Sequence, residues 1–171
     1  SRMAQDLEDL ILREGPETCA AFIAEPVMGA GGVIMPPKGY FQKIQPILEK
    51  YDIRFIADEV ICGFGRTGKW FGTETLGMKP HSITMAKAIT SAYFPMSAIT
   101  IEEDLYKAML DESRKLGTFG HGYTYTAHPV GCAVALKTIE IYQRDKIMEH
   151  AAKVSPVFQS RLMKLADHPM V

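Results

Sequence analysis

Residues 53–59 read IRFIADE, a largely apolar run that ends in two carboxylates, and this stretch decides the fold. Short apolar runs that stop at charged or turn residues are typical of strands buried inside a parallel sheet. A second such run, SITMAK at residues 82–87, ends in a lysine, and a third, CAAFIAE at residues 19–25, ends in a glutamate before Pro26. The sequence therefore predicts three buried strands, each of which ends in a charged side chain.

Helical patterns alternate with these strands. Apolar residues recur at helical spacing in five segments: residues 3–11, 40–51, 105–116, 132–142 and 147–165. A further strand is predicted after Pro95, at residues 96–101. In the fourth helix the expected apolar stripe is Cys132, Ala135, Leu136, Ile139 and Tyr142. Alternating strands and helices predict an α/β fold, a three-layer sandwich whose mostly parallel sheet is covered by helices on both faces.

Such sheets bind their ligands beyond the carboxyl ends of the strands. Glu25, Asp58 and Lys87 all fall at predicted strand ends, so we expect a functional site there. Taken alone, Lys87 could be a surface lysine and Asp58 a helix-capping carboxylate. Glu59 should point to the opposite face of the sheet, and we expect it to be a structural ion-pair partner. Glu25 could brace the loop that follows it or stabilise the backbone.

Composition excludes several classes of protein. The chain has 171 residues, 47% hydrophobic and 23% charged, with a net charge of −1, which gives no general attraction to nucleic acid or to acidic membranes. No apolar stretch is long enough to span a bilayer. Three cysteines, at positions 19, 62 and 132, have no metal-site spacing, so we expect reduced thiols, no metal and a cytoplasmic location. The chain starts inside a helical pattern, which suggests a fragment.

An aspartate and a lysine at neighbouring strand ends suit an enzyme that uses pyridoxal 5'-phosphate (PLP). Lys87 would form the Schiff base, and it could later act as the base that moves the substrate proton. Asp58 would hold the protonated ring nitrogen, because its negative charge opposes loss of that proton. This pairing of residue types is the first indication of the cofactor.

Two loops hold further candidates. Residues 120–126, GHGYTYT, lie before a helix start and could cradle a phosphate, although a helix-capping threonine is an equal reading. Arg66, in a glycine-rich loop, could bind an anion, but we expect a structural salt bridge. His121, His128 and Cys132 do not have the spacing of a zinc site. Neither of the common nucleotide-binding glycine motifs occurs, so a doubly wound nucleotide-binding domain is disfavoured.

Four ordered motifs carry a family resemblance: EPVMGAGG at 25–32, DEVICGFGRTG at 58–68, AKAITSAY at 86–93 and HGYTYTAHP at 121–129. Together they resemble the class III (omega) aminotransferases of PLP fold type I, most closely the omega-amino acid and amine:pyruvate branch. Ornithine-type members usually have Gln in place of Ile61 and Glu in place of Ala30. The family usually has Gly in place of Ala88, and the added methyl group could tighten that turn.

The resemblance assigns four cofactor contacts. Lys87 is similar to the Schiff-base lysine, Asp58 to the partner of the pyridinium nitrogen, and Val60 to the residue that packs on one face of the ring. Thr124 is similar to the threonine that reaches the PLP phosphate of the neighbouring subunit, which implies a homodimer. Tyr123 beside it would line the shared site.

The resemblance also divides the chain. Residues 1–145 would form the central part of the PLP-binding large domain, and residues 146–171 would lead toward a small C-terminal domain. In the family, the phosphate-binding glycine-serine loop and the ring-stacking aromatic residue lie before this stretch, and the arginine for the substrate carboxylate lies after it.

The expected function is therefore transamination by a ping-pong scheme, from an omega-amino acid or amine to a keto acid such as pyruvate. Two alternatives stay open. One is a different class III PLP enzyme, such as a mutase or decarboxylase, and the other is an inactive truncated remnant that keeps the fold.

Overall fold

The computed structural model describes residues 2–170, and its centre is a four-stranded sheet. The strands run in the order β1 (Ala21–Ala24), β2 (Arg54–Asp58), β3 (Ser82–Met85) and β4 (Ala98–Thr100). The first three are parallel, while β4 is antiparallel to β3. Parallel strands are usually joined by a crossover helix, and the connection at residues 86–97 contains only a single 3-10 turn. The predicted α/β class with a mostly parallel sheet is confirmed.

Five predicted helices appear close to their expected positions: α1 (Arg2–Glu14), α2 (Tyr40–Lys50), α4 (Glu103–Leu116), α5 (Pro129–Arg144) and α6 (Ile147–Met163). The short helix α3 (Gly72–Leu76) was not predicted, because five residues are too few to show a helical period. Three 3-10 turns complete the fold, at Pro16–Thr18, Lys87–Ile89 and Lys164–Asp167. Within residues 2–170, no helix combines the length and the apolarity needed to cross a membrane.

The larger hydrophobic cluster joins α1 and α2 to the first two strands. Ile11 of α1 and Ile44 of α2 are buried against Phe55 and Ala57 of β2. The rings of Phe41 and Phe55 stack with their centroids 6.0 Å apart. Burial of each large apolar side chain, such as Phe55 or Ile44, stabilises the folded state by about 1.5–3 kcal/mol. This cluster is therefore the main stabilising contact of the strand that carries Asp58.

A second cluster joins β3 to α5 on the same face of the sheet. It contains Met85 and Ala135, and Ile83 packs against both clusters. The register pairs Ala57 with Ile83, which puts both clusters on one side. On the opposite side, the paired strands carry Ile23 and Ile99, which are 58% and 60% exposed. Within the described residues, α1, α2 and α5 therefore pack on the face that carries both clusters.

Helix α5 packs through small residues rather than through its whole predicted stripe. Ala135 and Thr138 are buried, but Leu136 of the stripe is 70% exposed. The Thr138 hydroxyl donates to the carbonyl of Val134 at 2.8 Å, so its burial leaves no unpaired polar atom. A Cβ at Gly131 would lie 2.8 Å from the Phe94 ring. The close approach of α5 requires these small side chains, which hydrophobic periodicity cannot detect.

Candidate active site at the strand ends

Asp58 is the last residue of β2, and only one of its two carboxylate oxygens is hydrogen-bonded within residues 2–170. Its Oδ1 accepts a hydrogen bond from the backbone N–H of Val60 at 3.0 Å, and its Oδ2 has no partner within residues 2–170. Asp58 is paired in register with Thr84 on β3, so both side chains rise on the same face. The Thr84 hydroxyl oxygen is buried and has no partner within the same residues. This edge therefore offers a free carboxylate oxygen beside an unsatisfied hydroxyl.

Glu59, the next residue, has a structural role that differs from the expected ion pair. It is fully buried. Its two oxygens accept hydrogen bonds from the backbone N–H groups of Gly72 at 2.9 Å and Thr73 at 2.6 Å, the first residues of α3. No lysine or arginine nitrogen of the described residues lies within salt-bridge distance of it. The expectation of an ion pair was wrong: Glu59 is stabilised by helix N–H donors instead.

Replacing Glu59 with alanine should lower the free energy of unfolding by about 3 kcal/mol, because two buried N–H groups would lose their acceptors. Glu74 is the matched control. It also caps α3, through the N–H of Phe71 at 3.0 Å, but it is exposed. Its alanine variant should cost about 1 kcal/mol or less. Denaturant unfolding of both variants in the full-length protein checks this, and equal losses would contradict the buried-cap assignment.

Lys87 follows β3 in a tight 3-10 turn with an unusual backbone. Its φ is +45°, and Ser91 and Ala92 have φ values of +48° and +65°. L-residues rarely adopt this left-handed region, and clusters of such residues often mark functional sites. The side chain is exposed and lines a cavity of about 350 Å³. Val60, Arg66 and, from α6, Ala151 also line this cavity.

Asp58 and Lys87 do not line the same cavity in this chain. Asp58 borders a different cavity, at the end of β1, together with Glu25 and Met28. Val60 connects the two places, since its backbone N–H binds the Asp58 carboxylate and its side chain lines the Lys87 cavity. The structure thus brings Lys87 and Val60 together, and it joins Asp58 to them through one hydrogen bond.

Thr124 lies apart from these residues, in an exposed turn before α5. The Thr126 hydroxyl oxygen accepts a hydrogen bond from the N–H of Tyr123 at 2.8 Å and so closes the turn around Thr124. Thr124 borders neither the Lys87 cavity nor the Asp58 cavity. Tyr123 and Tyr125 on either side of it are 82% and 79% exposed.

Helix α6 packs against the glycine-rich loop at residues 63–68. A Cβ at Gly65 would lie 2.7 Å from the sulfur of Met148, and one at Gly68 would lie 3.0 Å from the Cα of Ala152. These glycines therefore allow helix and loop to touch. Arg66 between them is exposed, and no carboxylate of the described residues lies within salt-bridge distance, so the expected salt bridge is not formed.

Gly68→Ala should destabilise the protein by about 2–3 kcal/mol, because the new methyl group would press on the backbone of α6. Gly117 is a control with nearly the same backbone: its φ is +76° against +80° for Gly68, and nothing lies within 4 Å of its missing Cβ. Gly117→Ala should cost only the conformational strain, about 1 kcal/mol. Thermal unfolding of both full-length variants measures the difference, and an equal loss would show that contact with α6 is unimportant.

The loop before the site is braced by two buried or half-buried groups. Glu25 accepts a hydrogen bond from the N–H of Gly29 at 2.9 Å, in agreement with a loop-bracing role. The Cys62 thiol is buried and donates to the carbonyl of Val27 at 3.5 Å. Burial raises the pKa of the Cys62 thiol, so it stays protonated at neutral pH and is a poor nucleophile. All three cysteines are free thiols, as expected.

Comparisons with known proteins identify the family of this chain. The profile of the family described as "Aminotransferase class-III" matches residues 1–171. The chain is 55% identical to gamma aminobutyrate transaminase 3, chloroplastic, of Solanum lycopersicum, and all of it aligns with 33% of that protein. It is 53% identical to vanillin aminotransferase of Capsicum chinense, of which it covers 37%.

A solved structure extends the likeness to three dimensions. The omega transaminase from Pseudomonas jessenii, determined in complex with PMP, superposes with a TM-score of 0.96 at 50% identity, over 98% of this chain and 37% of that one. The chain thus spans about a third of the length of the curated relatives that it matches. With its four motifs, its mostly parallel sheet and a family profile that matches from end to end, this chain belongs to the class-III aminotransferases.

Proposed function

We propose that the full-length protein is a PLP-dependent transaminase that moves an amino group from an omega-amino acid or amine to a keto acid such as pyruvate. The observation that carries the proposal is the linked set of Lys87, Val60 and Asp58. Lys87 and Val60 share a cavity, and Val60 holds the Asp58 carboxylate at the end of the neighbouring strand. The names of two relatives, gamma aminobutyrate transaminase and vanillin aminotransferase, support an amine substrate.

The polar groups at this edge suit PLP. Asp58 has one oxygen free for a ring nitrogen, and the unsatisfied Thr84 hydroxyl beside it is available to a polar ring substituent. Val60 supplies an apolar surface of the kind that a flat ring packs against. When bound, the cofactor supplies an electron sink for the carbanion that forms at the substrate carbon.

Asp58 would keep the ring nitrogen protonated. A carboxylate beside the nitrogen opposes loss of its proton and makes a charge-assisted hydrogen bond. The bond from the Val60 N–H to Oδ1 fixes the orientation of the carboxylate and leaves Oδ2 for the ring. The separate role of Glu59 keeps a second negative charge away from this position, because its oxygens point into α3.

Lys87 would have two roles, attaching the cofactor covalently and transferring the substrate proton. Its Nζ would hold the cofactor by a covalent bond to the carbonyl carbon, formed with loss of water, and this bond requires the neutral amine. As a free amine, Nζ would act as the base that takes the proton from the substrate carbon and returns it on the other side of the reacting bond system. Lys87 follows β3, and Thr84 of β3 is paired in register with Asp58, which supports this role.

Thr124 would serve the neighbouring subunit of a homodimer. Its exposed turn lies away from the Lys87 cavity, which supports a contact with the partner's phosphate rather than with its own. The two exposed tyrosines beside it would contribute apolar surface to that interface.

We also propose that residues 1–145 form the central part of the large domain and that residues 146–171 lead toward a small domain. Lys146 separates α5 from α6, and its φ of +51° ends the helical geometry there. Beyond this break, α6 carries exposed apolar side chains such as Phe158 and Leu162, which are 64% and 47% exposed. An apolar helix face of this kind suits packing against further residues of a longer protein.

The cytoplasmic location is likewise a proposal, supported by the three free thiols. Several relatives are named as chloroplastic or mitochondrial forms. Fractionation of cells that express the full-length protein tests the location, and recovery in an organelle would overturn it.

A donor screen tests the proposed activity. The full-length protein, loaded with PLP, is incubated with omega-amino acids or amines and either pyruvate or 2-oxoglutarate. Formation of alanine from pyruvate, in step with loss of the donor amine, is the expected result. Glutamate formation alone would overturn the assignment of pyruvate. Release of carbon dioxide, or an isomerised product with no amino transfer, would instead indicate a class III decarboxylase or mutase, and no product at all would favour the inactive remnant.

A further inference from the structure

Tyr142 of α5 makes a specific contact with the turn that carries Lys87. Its hydroxyl lies 2.8 Å from the carbonyl oxygen of Ala88 and 2.5 Å from the hydroxyl of Ser91. A carbonyl oxygen can only accept, so the single phenolic proton goes to Ala88 and the Ser91 hydroxyl donates to the Tyr142 oxygen. The result is a directed path of hydrogen bonds from Ser91 through Tyr142 to Ala88, the residue next to Lys87.

The turn needs an external support of this kind. Lys87, Ser91 and Ala92 all have positive φ values, a conformation that L-residues disfavour. Two of the local bonds within the turn are long: the N–H of Thr90 lies 3.3 Å from the carbonyl of Lys87, and that of Ser91 lies 3.3 Å from the carbonyl of Ala88, whereas the bonds at the two ends of the turn, from the N–H groups of Ile89 and Tyr93, are 3.0 Å. The bond from Tyr142 is shorter than any of these and comes from another element, so it opposes relaxation of the strained backbone.

The Tyr142 ring is held independently of its hydroxyl. It packs near Phe64 and Trp70, with ring centroids 6.2 Å and 6.3 Å away. Phe64 belongs to the glycine-rich loop and lines the Lys87 cavity, and Trp70 follows that loop by two residues. Removing the hydroxyl alone should therefore leave the packing of the ring intact.

We propose that Tyr142 is a positioning residue that fixes the backbone of the Lys87 turn, so that Nζ is aimed at the reacting carbon. The inference rests on the proposed function, in which Lys87 moves the substrate proton. A small displacement of such a group costs much more in the chemical step than in substrate binding. Loss of the phenolic hydroxyl should therefore lower kcat and leave KM nearly unchanged.

The test compares Tyr142→Phe with the wild-type PLP-loaded, full-length protein. We expect kcat to fall about tenfold and KM to stay within about twofold, because only the proton-transfer geometry is disturbed. Backbone hydrogen exchange, which does not depend on activity, should become about tenfold faster in residues 87–93 and stay unchanged in α5. Tyr106→Phe is the control, since Tyr106 is an exposed residue of α4 whose hydroxyl has no hydrogen bond within residues 2–170.

Wild-type kcat in Tyr142→Phe, or wild-type exchange in residues 87–93, would overturn the proposal, as would a rise in KM that accounts for the whole loss. If Tyr142→Phe does not fold, the Ser91→Ala variant tests the proposal instead. That variant keeps the bond to Ala88 and should lower kcat about threefold with faster exchange in the turn, and wild-type behaviour would overturn the proposal. Failure of the proposed function is distinguishable, because the wild-type protein would then lack transamination while the exchange measurement still reports on the turn.

Discussion

Replacing Lys87 with alanine in the full-length protein should abolish covalent attachment of PLP and lower transamination by about 10⁴-fold. Two roles are lost together, because the same amine attaches the cofactor and carries the substrate proton. Borohydride reduction of the loaded wild-type protein, followed by peptide mapping, should place the cofactor label on the peptide that contains Lys87. The Lys87→Ala variant should carry no label.

Lys43→Ala is the matched control for this experiment. Lys43 is an exposed lysine of α2 that borders neither the Lys87 cavity nor the Asp58 cavity, and it forms no ion pair within residues 2–170. Its variant should keep both the label and the activity. A label on any lysine other than Lys87 in the wild-type protein would remove the assignment, and so would near-normal activity in Lys87→Ala.

Replacing Asp58 with asparagine should lower transamination by about 10²- to 10³-fold with little change in stability. The amide oxygen can still accept the bond from the Val60 N–H, so the variant mainly removes the charge. Without that charge the ring nitrogen is more easily deprotonated, and a neutral ring withdraws electrons less strongly. Asp58→Ala, which also loses the bond to Val60, should lose at least as much activity while the protein still folds.

Comparison with Glu59 makes the Asp58 result specific. The two carboxylates are adjacent in sequence, yet Asp58 is partly exposed and has a free oxygen, whereas Glu59 is fully buried and bonded to two N–H groups. Asp58 variants should therefore lose activity and keep stability, and Glu59→Ala should lose stability first. Wild-type turnover in Asp58→Asn would show that the ring nitrogen has another partner.

The strands and their charged ends were predictable because the relevant information is local. A buried parallel strand needs a short, almost continuous apolar run, and residues 53–58 and 82–86 have one. The charge at the end of each run marks the edge of the sheet where ligands bind. Asp58 and Lys87 could therefore be selected from the sequence, and the order of the four motifs pointed to the family.

The contacts that support the site could not be predicted, since they depend on residues that meet only after folding. Glu59 finds its N–H donors on a helix of five residues that has no periodic signal. Gly68 is required by the backbone of Ala152, and Tyr142, expected only as part of an apolar stripe, places its hydroxyl on the Lys87 turn. Periodicity identifies which face of a helix is apolar, but it does not identify the polar atom at the end of one side chain.

An experimental structure of the full-length protein with PLP bound is the most direct test of the central claim, that Asp58 and Lys87 act on one cofactor. In the present chain the two residues border different cavities and are linked through Val60. We expect Lys87 Nζ to be joined to the cofactor and Asp58 Oδ2 to lie within about 3 Å of the ring nitrogen. A cofactor that contacts one of these residues, while the other remains in a separate cavity, would contradict it.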